Sequence, residues 1–536
     1  MRYDEAVKTD PFLEGYMEKF FREKSKRPQY NERVSRDLSG LKFVNIIYPT
    51  AEHIYAHVFK EGGGEKGRYF VIEPPLEKKE QEKYKKVFDL IMENAPRVEA
   101  PKTNEDMEPL LLKLYDMSIS IGRQKLAETG IRKVILTKEE YEKFKYFLKR
   151  DINGSGAIQP LLSDPWIEDI NAIGMGDVFL VHKIFDTLET NVNFDDERAL
   201  HKFVRNMSER IGRAASVGRP IVDGALPDGS RINIIYADDV SLRGPSFTIR
   251  KFSTVPTSIT QLIAFGSVSP QIVAYLWLAL EYGMNVFVSG ETASGKTTIL
   301  NALLPFVNPY AKILTAEDTP EVLPPHRVWQ RLLTREVGPE ESRVDMFGIL
   351  KAALHSRPNY IIVGEIRGKE GSVAFQAMQT GHSLMATFHA SSVKKLIQRL
   401  VGDPINIPAT FMDNLNIAMI LQAVYVKGRF LRRCISVEEI EGLSEEVQGV
   451  ITRQVFEWDP VIDQFRFTGM NNSYILEEKI ATKIGYEDKR KIYDDLEWRT
   501  KIIAKMVQLK IFDYFEVVDI IKKYYASGDA GLPFRI

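Results

Sequence analysis

The sequence predicts an α/β chain in two parts, a mixed α/β N-terminal half and a C-terminal half built on a largely parallel sheet. Three observations lead there. The N-terminal half carries short strands of alternating apolar residues, separated by helical stretches and by Gly, Pro and Asp turns. Beyond the break Lys251–Pro256 (KFSTVP) the pattern changes to apolar strands spaced by longer helices. One of those strands runs straight into a glycine-rich loop and then a helix.

Taken in order, the first ~45 residues read as a polar helical extension. Within it Lys19–Lys42 is locally basic, with Lys19, Arg22, Lys24, Lys26, Arg27, Arg33, Arg36 and Lys42 against Glu23, Glu32 and Asp37. Phe20, Phe21 and Tyr30 interleave with these charges. Such a stretch is either a solvated helix face or a basic aromatic surface for an anionic membrane or acidic partner. Strands are expected at Phe43–Tyr48, Ile54–Phe59 and Tyr69–Ile72, with Glu61–Gly67 (EGGGEKG) as a hairpin loop. Three helices follow over about 76–150, the last opened by a capping box, Thr137 with Glu140, and stopped near Gly154. Strands return at Asp169–Gly174, Val178–His182 and Arg231–Tyr236. After the break, strands are expected at Asn285–Ser289, Lys312–Thr315, Tyr360–Val363 and Leu384–Phe388. Two hairpins, Ala423–Ser436 and Gln454–Thr468, and a pair of amphipathic helices over about 488–526 complete the chain. The expected division is 1–45 (basic extension), 46–252 (N-terminal α/β domain), 253–260 (flexible linker) and 261–536 (the parallel-sheet domain).

Composition excludes several classes. The chain has 536 residues, 44% of them hydrophobic, which rules out wholesale disorder. With 72 Lys and Arg against 73 Asp and Glu, the net charge of −1 argues against a strongly basic nucleic-acid binder. A single cysteine, Cys434, excludes internal disulfides and Cys-clustered metal sites. Met1–Asp10 carries no signal-peptide core, and the longest apolar run, Ile272–Leu280, falls far short of the ~20 residues of a membrane span. A cytosolic protein is therefore expected, with any membrane contact peripheral.

The strongest chemical signal is Gly290-Glu291-Thr292-Ala293-Ser294-Gly295-Lys296-Thr297, followed by Thr298. It satisfies G-x-x-x-x-G-K-[ST] in the strand–loop–helix setting a phosphate loop needs. Its backbone amides and the helix N-terminus would cradle phosphate oxygens, Lys296 would supply a point charge, and the Thr297 hydroxyl a Mg²⁺ ligand. ATP and Mg²⁺ are the implied ligands. A metal-organising acid is expected on a neighbouring strand, and Tyr360–Glu365 offers Glu365 at a strand's C-terminal end. Many phosphate-loop enzymes place Asp-Glu there, whereas this chain has Gly364 before Glu365. One carboxylate cannot readily hold the metal and activate water, so a separate base is sought. Ile313–Glu321 supplies Glu317, with Asp318 and Glu321 as second choices; Asp318 alternatively caps a helix ahead of Pro320. A third strand ends at His389, which can lie near a terminal phosphate. His382, seven residues earlier at the strand's start, cannot share a metal with it.

Together these four boxes resemble the hexameric ATPases of type II and type IV secretion, type IV pili and the archaellum. The phrases Asp228-Gly229-Ser230-Arg231, Arg243–Phe252, Glu317–Glu321 and Leu333–Glu336 resemble the archaeal branch, most of all the archaellum motor ATPase. The lone cysteine departs from bacterial members that carry a tetracysteine zinc module. The resemblance implies a RecA-like ATPase domain, an N-terminal domain, a flexible linker between them and a homohexameric ring. It implies that arginines of the N-terminal domain reach the phosphates, with Arg231, Arg243 and Arg250 as the candidates. Arg367, just after the metal acid, is a candidate further sensor, and Arg399, ten residues past the histidine box, is either functional or a surface residue. It implies a polytopic membrane platform protein as partner, together with archaellum cytosolic ring and scaffold proteins. An archaeal pilus or secretion ATPase is the alternative, and a nucleic-acid motor is disfavoured by charge.

Overall fold

The structure, a computed structural model, describes residues 3–32, 34, 38, 41, 43–62, 67–98, 107–122, 133–252, 255–335, 339–426, 429–446 and 449–536. Arg33, Arg36, Asp37 and Lys42 of the basic stretch, the EGGGEKG tip at 63–66, Ser253 and Thr254 of the break, and Glu336 lie outside these residues. The chain forms two compact units, Met1–Phe252 and Ser253–Ile536.

In the first unit, α1 (Tyr3–Thr9) and α2 (Pro11–Lys24) precede β1 (Gln29–Tyr30), β2 (Val44–Ala51), β3 (Ile54–Lys60) and β4 (Gly67–Ile72). A helical module follows: α3 (Lys78–Asn94), α4 (Met107–Ser118), the short strands β5 (Ile119–Ile121) and β6 (Val134–Leu136), and α5 (Lys138–Leu148). The capping box at its last helix is formed, with Thr137 Oγ1 accepting from the Glu140 amide at 3.1 Å and Glu140 accepting from the Thr137 amide at 2.8 Å. Then come α6 (Gln159–Ser163), β7 (Ile167–Ile173), β8 (Gly176–His182), β9 (Asp186–Phe194), α7 (Glu197–Arg210), β10 (Ile221–Ala225), β11 (Arg231–Ile235) and β12 (Ser246–Arg250). Ten strands join one sheet in the order β1-β2-β3-β4-β9-β8-β7-β12-β11-β10.

The N-terminal segment is not a free extension. Ala6, Leu13 and Met17 pack with Ile47, Tyr55 and Ile72, and Phe20 is buried against His57, Phe59 and Phe70. Its basic residues are partly neutralised: Lys26 lies 3.8 Å from Glu61 and over the Phe43 ring, and Arg27 is 3.4 Å from Glu18. Phe20 is unavailable to a membrane because the sheet needs it as core; Phe21 alone of that helical pair stays exposed.

In the second unit, α8 (Ile259–Ala264) and α9 (Pro270–Glu281) lead into β13 (Val286–Gly290) and α10 (Lys296–Leu303). The order continues with β14 (Ile313–Glu317), β15 (Trp329–Leu333), α11 (Met346–Ser356), β16 (Tyr360–Ile366), α12 (Glu370–Gln379), β17 (Ser383–Phe388) and α13 (Val393–Val401). Next are β18 (Ile417–Val426), β19 (Arg429–Ser444), β20 (Gly449–Asp459), β21 (Gln464–Phe467), α14 (Thr482–Ile484), α15 (Ile492–Gln508) and α16 (Tyr514–Ser527). The nine-stranded sheet runs β15-β14-β16-β17-β13-β18-β19-β20-β21. Its first six strands are mutually parallel and the last three return antiparallel.

The reason is legible in burial. Every residue of β13 and β14 is buried, so both sheet faces must be covered by helices. One face carries α8, α9, α15 and α16; the other carries α11, α12 and α13. The apolar run Ile272–Leu280 is the wholly buried centre of α9, and among the described residues no helix is long and apolar enough to cross a membrane. The first hairpin is longer than expected. β18 starts at Ile417 and pairs parallel with β13, so the hairpin extends the central sheet instead of standing apart. Ser258, within the expected 253–260 segment, caps α8, and its hydroxyl donates to the Phe512 carbonyl at 2.7 Å.

Candidate active site

Parallel strands align their carboxyl ends, so β13, β14, β16 and β17 deliver the phosphate loop, Glu317, Glu365 and His389 to one sheet edge. Gly290 closes β13 where only glycine fits. A Cβ there would stand 2.3 Å from the Leu421 carbonyl oxygen of β18. Gly295 takes φ +92°, the left-handed turn that hands the loop to α10. Glu291, Thr292, Ala293 and Thr298 are exposed, Thr297 is half-buried, and Ser294 and Lys296 are buried.

Lys296 Nζ donates to the Glu291 carbonyl at 2.9 Å and meets His389 Nδ1 at 3.3 Å. The far side of that ring, Nε2, is 2.9 Å from Glu365 Oε1. Burial, then the charge of Lys296, pushes the imidazole below its ordinary pKa. The ring is therefore neutral near pH 7, accepting from Lys296 at Nδ1 and donating from Nε2 to Glu365. Glu365 Oε2 accepts from Arg367 at 2.6 Å. Burial raises its pKa, but the Arg367 hydrogen bond and charge, with His389 and Lys296, outweigh that and hold it below the usual value. Arg367 continues to Asp318, 3.7 Å away. The result is a continuous polar chain from phosphate-loop lysine to acidic box.

Asp318 caps no helix. The chain after it is irregular, and its carboxylate instead accepts from the Thr334 hydroxyl at 3.0 Å and faces Arg367. Glu317 is 1% exposed. Its Oε1 accepts the amides of Glu321 and Val322, each at 2.7 Å, while Oε2 lacks a hydrogen-bond donor and lies 3.5 Å from Arg331 Nε. Burial pushes its pKa up to about 7, against the two amides and Arg331, which pull it down. Asn301 of α10 ties this segment to the phosphate-loop helix, donating to the Glu321 carbonyl at 2.9 Å and accepting from the Leu323 amide at 2.8 Å.

Gly364, read as a missing metal acid, has a packing role. A Cβ there would press on Glu317 Cγ at 3.3 Å. Gly364→Asp, which would recreate the common Asp-Glu pair, is expected to push Glu317 aside and set a like charge against it. Phosphate release should fall at least about tenfold while nucleotide binding holds.

Arg399 is tied to the histidine box, donating to the His389 carbonyl and lying over the Phe388 ring. His382 contacts Thr380 at the opposite end of β17. Arg231 and Arg250 are cross-strand partners on β11 and β12 of the first unit, and Arg243 precedes β12; all three are exposed. Two residues escaped the sequence reading, Arg331 and Arg432. Arg432 Nε donates to the Ala293 carbonyl at 2.9 Å. Neither lies in a motif, so only strand pairing reveals them.

The donor set fits a magnesium ion. Thr297, at the start of α10, and Glu365, on β16, offer hard oxygens along the carboxyl edge of the sheet, and Glu365 is held ionised.

A RecA-like parallel sheet with an intact phosphate loop, facing acids and a histidine at its carboxyl edge, defines the class: a P-loop ATP hydrolase. Within that class the chain belongs to the family described as Type II/IV secretion system protein, whose family model matches residues 151–456. It is 54% identical to the uncharacterized protein MJ0900 of Methanocaldococcus jannaschii over 99% of this chain and 98% of that one. It is 31% identical to the Type IV secretion system protein PtlH homolog of Bordetella bronchiseptica, over 38% of this chain and 66% of that one. Among solved structures it is similar to the VirB11 ATPase of the Brucella suis type IV secretion system. That match has 22% identity over 52% of this chain and 91% of that chain, with a TM-score of 0.28. The archaeal relatives place the chain in the archaeal branch of the family.

Proposed function

We propose that this chain is a mechanochemical ATPase that works as a homohexameric ring at the cytoplasmic, inner face of the cell membrane. It drives archaellum filament assembly, with rotation as a second output, through a polytopic membrane platform protein and the archaellum's cytosolic ring and scaffold proteins. The polar chain Lys296–His389–Glu365–Arg367–Asp318 carries the reading, because it links all four boxes through contacts that a γ-phosphate would rearrange.

ATP docks on the amides of Gly290–Thr298. Lys296 leaves the Glu291 carbonyl and His389 for the phosphate oxygens. His389, released, can sense the terminal phosphate. Glu317 orients water. The water oxygen bonds to the γ-phosphorus, the bond to the β,γ-bridging oxygen breaks, ADP leaves, and the water's proton passes to the Glu317 carboxylate. Arg231, Arg243 and Arg250 supply positive charge to the phosphates. Mg²⁺, held by Thr297 and Glu365, would neutralise phosphate charge when bound.

Lys296→Ala removes the one buried cation of the loop. Nucleotide affinity is expected to fall roughly 10- to 150-fold, read by titration of a fluorescent ATP analogue. A wild-type affinity in the variant would sink the phosphate-loop assignment.

The Bordetella relative's name favours a second reading, a pilus or secretion ATPase with the same chemistry and a different client. A deletion strain separates them: loss of archaella with other pili intact supports the first, and the reverse supports the second. DNA-stimulated hydrolysis with steep salt dependence would count against both.

A further inference from the structure

We propose that Arg432 is a positioning residue for the phosphate loop, holding the Ala293 carbonyl outward so that the Ser294 amide faces the anion. The proposal rests on the nucleotide reading above and deepens it.

Strand register explains how a residue so far along the chain arrives there. β18 runs parallel to β13 and pairs with it as far as Gly290 opposite Leu421. At that point β13 turns into the loop, but β18 continues to Val426. The overhang stands beside the loop, and β19 returns along it with Ala423 opposite Arg432. Leu421 pairs with Cys434, so Arg432 sits two residues beyond the last β13 level, abreast of the loop's crown. Successive strand residues face opposite ways. Arg433 accordingly points to the other side, buried, with Nε donating to Asp463 at 2.8 Å and Nη1 to the Phe265 carbonyl at 3.1 Å. That neighbour is anchored in the fold, which fixes the direction of Arg432.

Arg432 grips the loop on either side of Ser294. Its Nε donates to the Ala293 carbonyl at 2.9 Å, and its Cδ lies 3.4 Å from where a Gly295 Cβ would be. Ala293 is held at φ +61°, a left-handed conformation that a residue with a Cβ rarely takes. Across a trans peptide the carbonyl and the next N–H point in opposite directions. Pulling the Ala293 oxygen toward Arg432 therefore turns the Ser294 N–H into the cradle. There it faces the Glu291 carbonyl at 3.4 Å, the same oxygen that accepts Lys296 Nζ at 2.9 Å. Lysine and amide thus converge on one oxygen acceptor, the Glu291 carbonyl. If the Ala293–Ser294 peptide flipped, a carbonyl would face the phosphate instead of an amide.

The test is a double-mutant cycle on the full-length protein, with Arg432→Ala, Ala293→Gly and their combination. ATP titration gives KM and kcat, and a fluorescent ADP analogue gives affinity. Arg432→Ala is expected to raise KM about tenfold, or ~1.4 kcal/mol, with kcat within about twofold. In the Ala293→Gly background the same change should cost less than about threefold, because glycine adopts φ +61° unaided. Arg432→Lys, which keeps a cationic donor, should recover part of the loss and also serves if the alanine variant does not fold. An unchanged KM in Arg432→Ala overturns the proposal. So does an equal penalty in both backgrounds, which would mean the arginine acts other than through Ala293. A matching loss of kcat and kcat/KM also overturns it, since Arg432 would then touch the reacting phosphate. A wild-type protein that takes up no nucleotide would instead remove the phosphate-loop reading itself.

Discussion

Replacing Glu317 by glutamine is expected to lower ATP hydrolysis by about 10²- to 10⁴-fold while nucleotide affinity stays within about threefold. The carboxylate is nearly fully buried, and its ordinary value of 4.5 is pushed up to about 7. A base must be ionised to act, so wild-type kcat/KM should rise with pH along a limb centred near 7. That limb should vanish in the glutamine variant. The sign for stability is opposite. The folded state binds this proton more tightly than the unfolded chain, so its contribution is complete below about pH 4.5 and is lost as pH rises through about 7. Glutamine mimics the neutral form and can still accept the amides of Glu321 and Val322. The variant's melting temperature at pH 8 should therefore equal or exceed that of wild type. Loss of turnover with retained stability identifies a chemical role. Loss of both would make Glu317 a structural cap on its own loop.

Asp164→Ala should have the largest effect on stability. Asp164 is fully buried in the first unit, where its Oδ2 accepts the hydroxyls of Tyr48 and Tyr69, each at 2.7 Å, and its Oδ1 accepts the Trp166 amide at 2.8 Å. Tyr48 also meets His182 Nε2 at 3.0 Å. His182 Nδ1 accepts the Ile184 amide at 3.1 Å, so Nε2 carries the proton and donates to the tyrosine. Burial holds that histidine down to about 4, and it is neutral. Lys251, at the end of the unit, donates to the carbonyls of Leu161 and Asp164, and burial lowers it to about 8. Alanine would leave the hydroxyl protons of Tyr48 and Tyr69 without their acceptor and remove the carboxylate charge that most favours the buried Lys251 ammonium. The expected cost is about 3–5 kcal/mol, a fall of roughly 10 °C for a unit of this size. Calorimetry should show it in one transition only, with nucleotide affinity unchanged. A fall under about 1 kcal/mol would mean water replaces the carboxylate.

The four boxes were legible in sequence because phosphate chemistry demands particular residue types at particular places. A lysine after glycines, an acid ending an apolar strand and a histidine ending another each carry their own signal. Parallel strands then bring such ends together as a rule of the fold. The packing of the N-terminal segment was not legible, for a related reason. Phe20 among lysines looks like a surface aromatic when only sequence neighbours are counted, yet its partners His57, Phe59 and Phe70 lie on other strands. Gly364 reads in sequence only as an absence of charge. Its significance is the space it leaves for Glu317, which comes from an adjacent strand.

The sequence by itself determined the class of sheet, the phosphate-loop motif, and the acids and histidine that end other strands of that sheet, because each is written in contiguous residues. Tertiary structure alone decided which carboxylate is buried and which is paired. Glu317 sits inside with Arg331 nearby, while Glu365 is held ionised by Arg367. It alone brought Arg432 to Ala293, across 139 residues of chain. Burial and register are properties of packed neighbours, and a carboxylate's proton affinity follows those neighbours rather than its place in a motif.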